Sequence, residues 1–152
     1  MTLELKIPPP VVGVLIAAAM FGLGYAFEHL PLATPAKATV AILLAVAGAM
    51  FDLLGLLAFR RARTTVNPLK PQNSSSLVSG GVYRYTRNPM YVGMAFFLTA
   101  WAVYLAQPWA LLGPVAFMLY ITRFQIKPEE RALAKLFGAD FTAYTTKVRR
   151  WL

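Results

Sequence analysis

The stretch from Asn88 to Thr122 contains no charged residue over 35 positions. At about 1.5 Å per residue, one straight helix of that length would be far longer than the roughly 30 Å of a bilayer's hydrocarbon core. The pair Gln107-Pro108 lies near the middle of the stretch, and a proline interrupts a helix. The stretch therefore predicts a short helical hairpin in a membrane, with spans over Met90–Ala106 and about 109–126.

Two further apolar runs precede this hairpin. Val11–Phe27 is uncharged over 17 residues, and Ala38–Phe59 is interrupted only by Asp52 before a basic cluster that begins at Arg60. Both runs are long enough to cross or nearly cross the hydrocarbon core, and the basic cluster is typical of a stop-transfer signal. A signal peptide is the alternative for the first run. With the hairpin, the runs predict an all-α, polytopic membrane protein of about four transmembrane helices, forming a single integral membrane domain over residues 1–152.

The composition agrees with a membrane protein and excludes several other classes. Hydrophobic residues make up 58% of the chain and charged residues 14%, whereas soluble domains have roughly 45–50% and 25%. The chain has no Cys and one His, which excludes a disulfide framework, a thiolate zinc site and a multi-histidine metal centre. We therefore expect a site without a metal.

The net charge of +9 reflects where the basic residues lie along the chain. Of the 15 Lys and Arg residues, 6 lie between the second and third spans and 7 follow the fourth, so that 13 share one side of the membrane. Cytoplasmic segments of membrane proteins carry such an excess. The distribution predicts a multi-pass protein with both termini in the cytoplasm, in the plasma membrane or the bacterial inner membrane, and it argues against nucleic acid as a partner.

Two cytoplasmic segments lie at the two ends of the hairpin. The loop over 60–88 is rich in Asn, Pro, Ser and Gly, a composition typical of long and often functional loops. The tail over 127–152 predicts amphipathic helices, because Pro128 suits a first helical position, Gly138 a stop, and Asp140 the cap of a second helix. Since both segments face the same side of the membrane, we expect a site between them.

The residues of these two segments allow a structural and a functional interpretation. Gly81–Gly93 combines three tyrosines, two arginines and a proline at the entrance to the third span. Tyrosines can wall an aromatic ligand and arginines can hold a carboxylate or phosphate, but many membrane proteins also have an interfacial belt of Tyr and Arg. The acidic pair Glu129-Glu130 is equally open, because carboxylates at a helix start complement the helix dipole.

Taken together, these motifs resemble the isoprenylcysteine carboxyl methyltransferase and phospholipid methyltransferase group of integral membrane enzymes, which use S-adenosylmethionine. The resemblance covers about half the chain, from Leu77 to Trp151, in the family's order. Its elements are Gly81–Gly93, the hairpin, Glu129-Glu130 with Leu133, Phe137-Gly138 with Phe141 and Tyr144, and Val148 with Arg150-Trp151. One position departs from the pattern, since Asn88 stands where the family has His. Asn88 can replace the hydrogen bonds of a His but not its acid–base chemistry near neutral pH.

The resemblance implies a pocket for S-adenosyl-L-methionine. Its cofactor-binding residues would be Ser76, Leu77, Val78, Tyr83, Asn88, Pro89, Met90, Tyr91 and Glu129. Glu129 would accept hydrogen bonds from the ribose hydroxyls, as a carboxylate can. The catalytic residues would be Arg87, Glu130 and Arg123, with the arginines orienting an anionic acceptor. Methyl transfer depends on positioning and electrostatics and needs no covalent enzyme intermediate.

The methyl acceptor stays open at this point. Because no soluble substrate domain is predicted, the acceptor would come from the bilayer or its surface, which favours an isoprenylcysteine carboxylate, a phospholipid amine or a small apolar thiol. The alternative function is a small four-span proton-coupled transporter that uses Asp52 or Glu28 for coupling and Arg87 for its substrate. A scaffold without a ligand is a third possibility. Asp52, inside a span, either pairs with a neighbouring helix or contributes to the site.

Overall fold

The computed structural model of the protein describes residues 3–24, 29–63 and 69–152. Within these ranges the regular structure is entirely helical, as predicted. The α-helices are α1 over Pro9–Leu23, α2 over Thr34–Ala62, α3 over Pro89–Leu105, α4 over Leu112–Ile121 and α5 over Lys127–Lys147. Short 3₁₀ turns lie at Pro71–Asn73, Gly81–Arg84 and Pro108–Leu111.

The described helices differ in how far they could reach across a membrane. By length and composition, α2 with 29 residues and the 40-residue helical stretch Pro108–Lys147 could each cross one. α1 and α3 are apolar but shorter, with 15 and 17 residues. α1 begins at Pro9 and ends at Leu23, and residues 25–27 of the first predicted span lie outside the described residues. α2 exceeds the predicted 38–59 at both ends.

α3 and α4 form the predicted hairpin, and the chain turns at Gln107-Pro108. Ala106 ends α3 in the left-handed conformation, with φ 53°. Its carbonyl accepts a hydrogen bond of 2.7 Å from the backbone N–H of Leu30, so the segment before α2 ties down the turn. The main core lies between α1, α3 and α4 and includes Val12, Met20, Leu98, Ala102, Phe117 and Ile121.

α2 and α3 pack with their backbones in close contact, because glycines face each other. A Cβ added to Gly48 of α2 would lie 2.8 Å from the carbonyl oxygen of Gly93 in α3, and one added to Gly55 would lie 2.9 Å from Met90 Cγ. Small residues at helix interfaces permit such close approach in membrane proteins. This contact brings the end of α2 beside the start of α3, where the loop residues meet them.

The glycine contact predicts a stability difference between two Gly→Ala substitutions. Gly48→Ala places a methyl group against a backbone oxygen that cannot rotate away, so we expect a loss of about 1–3 kcal/mol that outweighs the gain of about 1 kcal/mol in helix propensity. Gly22→Ala in α1 is the matched control, since its Cβ meets no described atom within 4 Å. Thermal unfolding in detergent should rank Gly48→Ala below wild type and Gly22→Ala at or above it. Equal melting temperatures for the two variants would contradict this packing.

The structure corrects the prediction that Pro128 begins a separate tail helix. α4 continues through a five-residue π-helical turn, Thr122–Ile126, directly into α5, so Pro128 does not begin a separate helix. Pro128 has no N–H to donate to the carbonyl of Phe124 four residues earlier. The backbone N–H of Leu5 donates to that carbonyl instead, at 3.0 Å. The wider turn and the substitute donor allow the helix to continue past the proline.

The second half of the tail bends at Gly138 and then folds back on the loop before α3. Gly138 has φ 50° and ψ −118°, which a glycine adopts at little cost, and the helix resumes until Lys147. The predicted stop at Gly138 is thus a break in the helical backbone, where the two helical halves of α5 meet. Beyond α5 the chain is extended, and the carbonyl of Arg149 accepts a 2.9 Å hydrogen bond from the N–H of Arg87. Trp151 Nε1 donates to Thr122 Oγ1 at 3.1 Å, so the C-terminal segment is held at both ends.

Candidate active site

A pocket lies where the loop before α3, the start of α3 and both halves of α5 meet. It surrounds about 840 Å³ of space, part of it open to solvent. Ten of the twelve residues predicted for the site line it: Ser76, Leu77, Val78, Tyr83, Arg87, Asn88, Met90, Tyr91, Glu129 and Glu130. The other lining residues are Phe59, Pro71, Ser74, Ile126, Leu133, Phe141 and Tyr144. The structure thus brings the loop and the tail together on one side of the hairpin.

Glu130 joins three segments of the chain through two arginines. Its Oε1 accepts from Arg87 Nη2 at 2.7 Å and from Arg150 Nε at 3.0 Å, and its Oε2 accepts from Arg150 Nη2 at 2.7 Å. Although burial raises the pKa of Glu130, the hydrogen bonds and charges of the two arginines outweigh burial and hold the pKa below its ordinary value. Glu130 is therefore an ionised structural anchor at neutral pH, and both of its oxygens are already bonded within the fold.

Arg87 is bound almost entirely by the protein itself. Its Nη1 donates to the backbone carbonyls of Thr145, at 3.1 Å, and Val148, at 2.8 Å, while Nη2 is used by Glu130. Its side chain is 12% exposed. Its Nε–H is buried and has no hydrogen-bond partner among the described residues. Arg87 thus stabilises the pocket wall, and its Nε–H is not used by the described chain.

Glu129 lies on the pocket side of α5 and has a different environment. Its Oε1 accepts hydrogen bonds from Tyr91 Oη at 2.6 Å and from Gln125 Nε2 at 2.7 Å. Burial raises its pKa to about 7, against the opposing effect of those two hydrogen bonds. Its Oε2 has no hydrogen bond to any described residue, which leaves one carboxylate oxygen for a ligand. Glu129 is therefore not a solvated residue at a helix start.

Asn88 connects the start of α3 to the C-terminal segment. Its side-chain Nδ2 donates to the carbonyl of Arg150 at 2.8 Å, and the hydroxyl of Thr86 donates to the same carbonyl at 3.2 Å. The backbone carbonyl of Asn88 accepts from the N–H groups of Tyr91 and Val92 in the first turn of α3. At the position where the family has His, this chain therefore has a neutral amide that fixes backbone geometry.

Aromatic side chains from three elements form a further wall. Tyr144 Oη donates to the carbonyl of Tyr83 at 2.7 Å, which joins α5 to the turn before α3. Phe59 of α2 packs edge-on against Tyr83, with ring centroids 5.6 Å apart, and Phe141 is buried nearby. Burial raises the pKa values of Tyr83 and Tyr144 well above the ordinary value for a phenol. Both phenols are thus neutral at physiological pH and offer flat, mostly apolar faces.

Two residues predicted for the site lie outside the pocket. Arg123 is 53% exposed and its Nη1 pairs with Glu4 Oε1 at 2.7 Å, because the π-helical turn directs it toward the N-terminal segment. Pro89 is fully buried behind the pocket wall, against Gly55 of α2. Ser76, which does line the pocket, donates its hydroxyl to the carbonyl of Ala62 at 3.0 Å and so fixes the loop to the end of α2.

The carboxylates named for the transporter alternative do not converge on the pocket. Asp52 lies against Gly93 between α2 and α3, and its buried Oδ1 has no hydrogen-bond partner among the described residues. Its contact with α3 is steric, and it does not pair with a charge in the described chain. Glu28 lies outside the described residues.

Sequence reasoning missed several residues that hold the site together. Gln125 precedes Glu129 by four residues, and that spacing places two side chains on one helix face, so the pair could have been found. Phe59 could not, because its contact with Tyr83 depends on how α2 packs against the turn before α3. Tyr144 occurs in the motif quoted above, but nothing in its local sequence identifies the carbonyl of Tyr83 as its partner. Arg150 occurs in the motif quoted above, but nothing in its local sequence identifies Glu130 as its partner.

A family model described as phospholipid methyltransferase matches residues 36–140, more than half of the chain. The chain belongs to the phospholipid methyltransferase family. The resemblance predicted from its motifs is thereby confirmed, and membership of this family supports the prediction of an enzyme of the methyltransferase class. The matched region contains α2, the loop, the hairpin and the half of α5 that carries Glu129 and Glu130.

Individual relatives carry related names. The probable protein-S-isoprenylcysteine O-methyltransferase of Oryza sativa subsp. indica is 30% identical over 116 residues, which are 74% of this chain and 59% of the rice protein. The protein-S-isoprenylcysteine O-methyltransferase of Xenopus laevis is 35% identical over 79 residues, 50% of this chain and 26% of the frog protein. An uncharacterized protein of Haemophilus influenzae is 43% identical over 63 residues, its whole length. The chain therefore spans less than two thirds of the named methyltransferases that it matches.

The contacts of Arg87 predict that it matters more for stability than an exposed arginine of the same helical hairpin. Arg87→Met leaves Glu130 with one cation and frees two buried carbonyls, so we expect a loss of about 2–4 kcal/mol. Arg123→Met breaks an exposed pair with Glu4 and should cost about 0–1 kcal/mol. Thermal unfolding in detergent compares the two variants. A melting temperature for Arg87→Met that equals that of Arg123→Met would show that the Glu130 pairs contribute little.

Proposed function

We propose that this protein transfers the methyl group of S-adenosylmethionine, at the cytoplasmic face of a membrane, to a lipid-like or small apolar acceptor. The observation that carries the proposal is Glu129 in an aromatic-walled pocket, with an Oε2 that bonds to none of the described residues, in a chain of a methyltransferase family. The names of the rice and frog relatives support a carboxylate acceptor of the isoprenylcysteine type. A phospholipid amine or a small thiol is the other acceptor class that fits an apolar approach.

The residues of the pocket fit this cofactor chemically. A ribose diol needs an acceptor, which the open oxygen of Glu129 provides. An adenine needs flat apolar walls, which Tyr83 and Phe141 provide. A carboxylate needs a donor, and the buried Nε of Arg87 has no partner among the described residues. We assign cofactor binding to the predicted residues that line the pocket, with Arg87 contributing only its Nε and Glu130 serving as a structural anchor. Pro89 and Arg123, which lie outside the pocket, are excluded.

When bound, the cofactor supplies an electrophilic methyl group on a sulfonium. Glu129 holds the ribose end, and its negative charge complements the cation. Arg87 and Glu130 act by position: they fix the wall, and Arg87 Nε is available to a carboxylate of cofactor or acceptor. Asn88 cannot act as a general acid or base near neutral pH, so its role is to hold the backbone through uncharged hydrogen bonds. An acceptor that is already ionised, such as a carboxylate, needs no base from this chain.

For the membrane arrangement we propose four spans, with α1, α2, α3 and α4 crossing and both termini in the cytoplasm, in a single domain over 1–152. Apolar side chains on α2 support this, since Ile42, Leu43, Val46 and Leu53 are each more than half exposed. The short α1 and α3 would cross where the bilayer thins locally. The pocket then opens at the cytoplasmic surface, beside the thirteen basic residues of that side. No observation on the described residues favours the transporter alternative.

The proposed reaction can be tested with purified protein and methyl-labelled S-adenosylmethionine. Three acceptors are offered in parallel: an S-prenylated cysteine with a free carboxylate, phosphatidylethanolamine and a small apolar thiol. We expect label in one of them, and in the prenylcysteine case the label should be released as methanol by base, as for a methyl ester. Folded protein that transferred label to none of the three acceptors and did not bind S-adenosylhomocysteine would overturn the proposal.

Replacing each of the two adjacent glutamates by glutamine should change the stability of the protein in opposite directions at pH 8.5. Because the pKa of Glu129 is about 7 in the fold against an ordinary 4.5, its ionisation lowers the free energy of unfolding as pH rises from 4.5 through 7, so the fold becomes less stable. Glu129→Gln should therefore have a higher melting temperature than wild type at pH 8.5, because its free energy of unfolding is larger by an amount on the order of 2 kcal/mol. The difference should disappear below pH 4.5. The same variant should bind S-adenosylhomocysteine at least about tenfold more weakly, through loss of a charged hydrogen bond.

Glu130→Gln is the matched control for that prediction. The arginines lower the pKa of Glu130, so its contribution to stability is present above the ordinary pKa of 4.5 and is lost as pH falls through the lower value in the fold. Its replacement should therefore reduce the melting temperature at pH 8.5. Equal shifts of the two variants, or undiminished cofactor affinity in Glu129→Gln, would contradict the assignment of Glu129.

A further inference from the structure

The N-terminal segment is fastened across the π-helical turn Thr122–Ile126. The carboxylate of Glu4 pairs with Arg123 inside the turn through Oε1, and with Arg131 of α5 through Oε2. The backbone N–H of Leu5, the next residue, donates to the carbonyl of Phe124. One dipeptide therefore bonds to the chain on both sides of Pro128, at the place where the helical hydrogen-bond ladder is interrupted.

Leu5 has an unfavourable backbone conformation, which these contacts must stabilise. Leu5 has φ 56°, a left-handed conformation that costs roughly 1–2 kcal/mol for a residue with a side chain. Such a conformation persists where the surrounding structure fixes it from several directions. Here the fixing contacts are the two ion pairs of Glu4, the bond to Phe124, and Ile7, which packs against the main core.

The turn under this segment carries one residue that lines the pocket and one that bonds to Glu129. Gln125 is buried and donates its Nε2 to Glu129 Oε1 at 2.7 Å, and Ile126 lines the pocket wall. The distance between the amide of Gln125 and the carboxylate of Glu129 depends on how the backbone between them is wound. A regular α-helix here would lack a bond at Pro128 and would rotate the side chains of the turn relative to α5.

We propose that Glu4 and Leu5 are positioning residues for Glu129. By holding the π-helical turn, they keep Gln125 on Glu129 Oε1 and leave Oε2 directed to the cofactor. This inference rests on the proposed role of Glu129 in cofactor binding. The other ionisable groups that act on Glu129 are Tyr91 of α3, Tyr83 of the preceding turn and Glu130 beside it, and none of them contacts Glu4.

The test is a titration of Glu129 itself, in detergent and without cofactor. Side-chain ¹³C-labelled glutamate is followed by NMR, and the resonance that is absent in Glu129→Gln identifies the residue. The bond from Gln125 lowers the pKa of Glu129, so Glu4→Gln, which loosens the turn, should move the titration midpoint upward by about half a pH unit or more. Asp140→Asn is the control, since it removes one exposed carboxylate from α5 that forms no ion pair within the described chain.

The same variants are then compared in methyl transfer. Glu4→Gln should raise KM for S-adenosylmethionine about three- to tenfold and shift the acidic limb of the pH profile in the same direction, with Asp140→Asn unchanged in both. Arg131→Met, which removes one of the two partners of Glu4, should shift the titration in the same direction by a smaller amount. A Glu129 midpoint that is the same in Glu4→Gln, Arg131→Met and wild type would overturn the inference. Wild-type protein that fails to bind cofactor would overturn the proposed function instead, while the titration still decides the role of Glu4.

Discussion

The doubly paired carboxylate of Glu130 is the interaction on which the candidate site depends. It connects α5 to Arg87 at the end of the loop and to Arg150 in the C-terminal segment, three parts of the chain that share no helix. Removing charges from water is costly and a single buried pair often returns no net stability. The arrangement here is favourable because two arginines surround one carboxylate, and Arg87 Nη1 donates to two backbone carbonyls of the tail. Without it, the loop and the tail would be joined by hydrogen bonds alone, such as those of Asn88 and Tyr144.

The two neighbouring glutamates divide structural and chemical work by their positions on the helix. Successive residues of an α-helix lie about 100° apart around its axis, so Glu130 faces the arginines while Glu129 faces the pocket. One environment lowers a carboxyl pKa through cations, and the other raises it through burial. Neighbouring carboxyl groups whose pKa values are shifted in opposite directions mark functional sites in other enzymes. An acidic pair can therefore do what a single residue cannot: Glu130 anchors the fold, while Glu129 presents a carboxylate to the pocket.

The sequence predicted the parts of this protein that follow from length and charge. A 35-residue uncharged stretch with a central Gln-Pro had to fold back, and the loop and tail motifs had to meet because both lie at the same ends of that hairpin. What local patterns could not predict was the continuity of α4 and α5. A proline with two acidic residues after it reads as a helix start, and only the bond from Leu5, 119 residues before Phe124 in the chain, shows how the helix passes it. The position of Arg123 on the outer side follows from that same turn.

In the proposed function, the cofactor binds between the loop and α5, against Glu129. The most direct measurement is ultraviolet cross-linking of radiolabelled S-adenosylmethionine to the purified protein, followed by mapping of the labelled peptides. We expect label in peptides that carry Tyr83 or Tyr91 and in the peptide that carries Phe141 or Tyr144, with loss of labelling when unlabelled S-adenosylhomocysteine is added in excess. Competable label confined to peptides of α1 or to the part of α2 around Asp52 would contradict it.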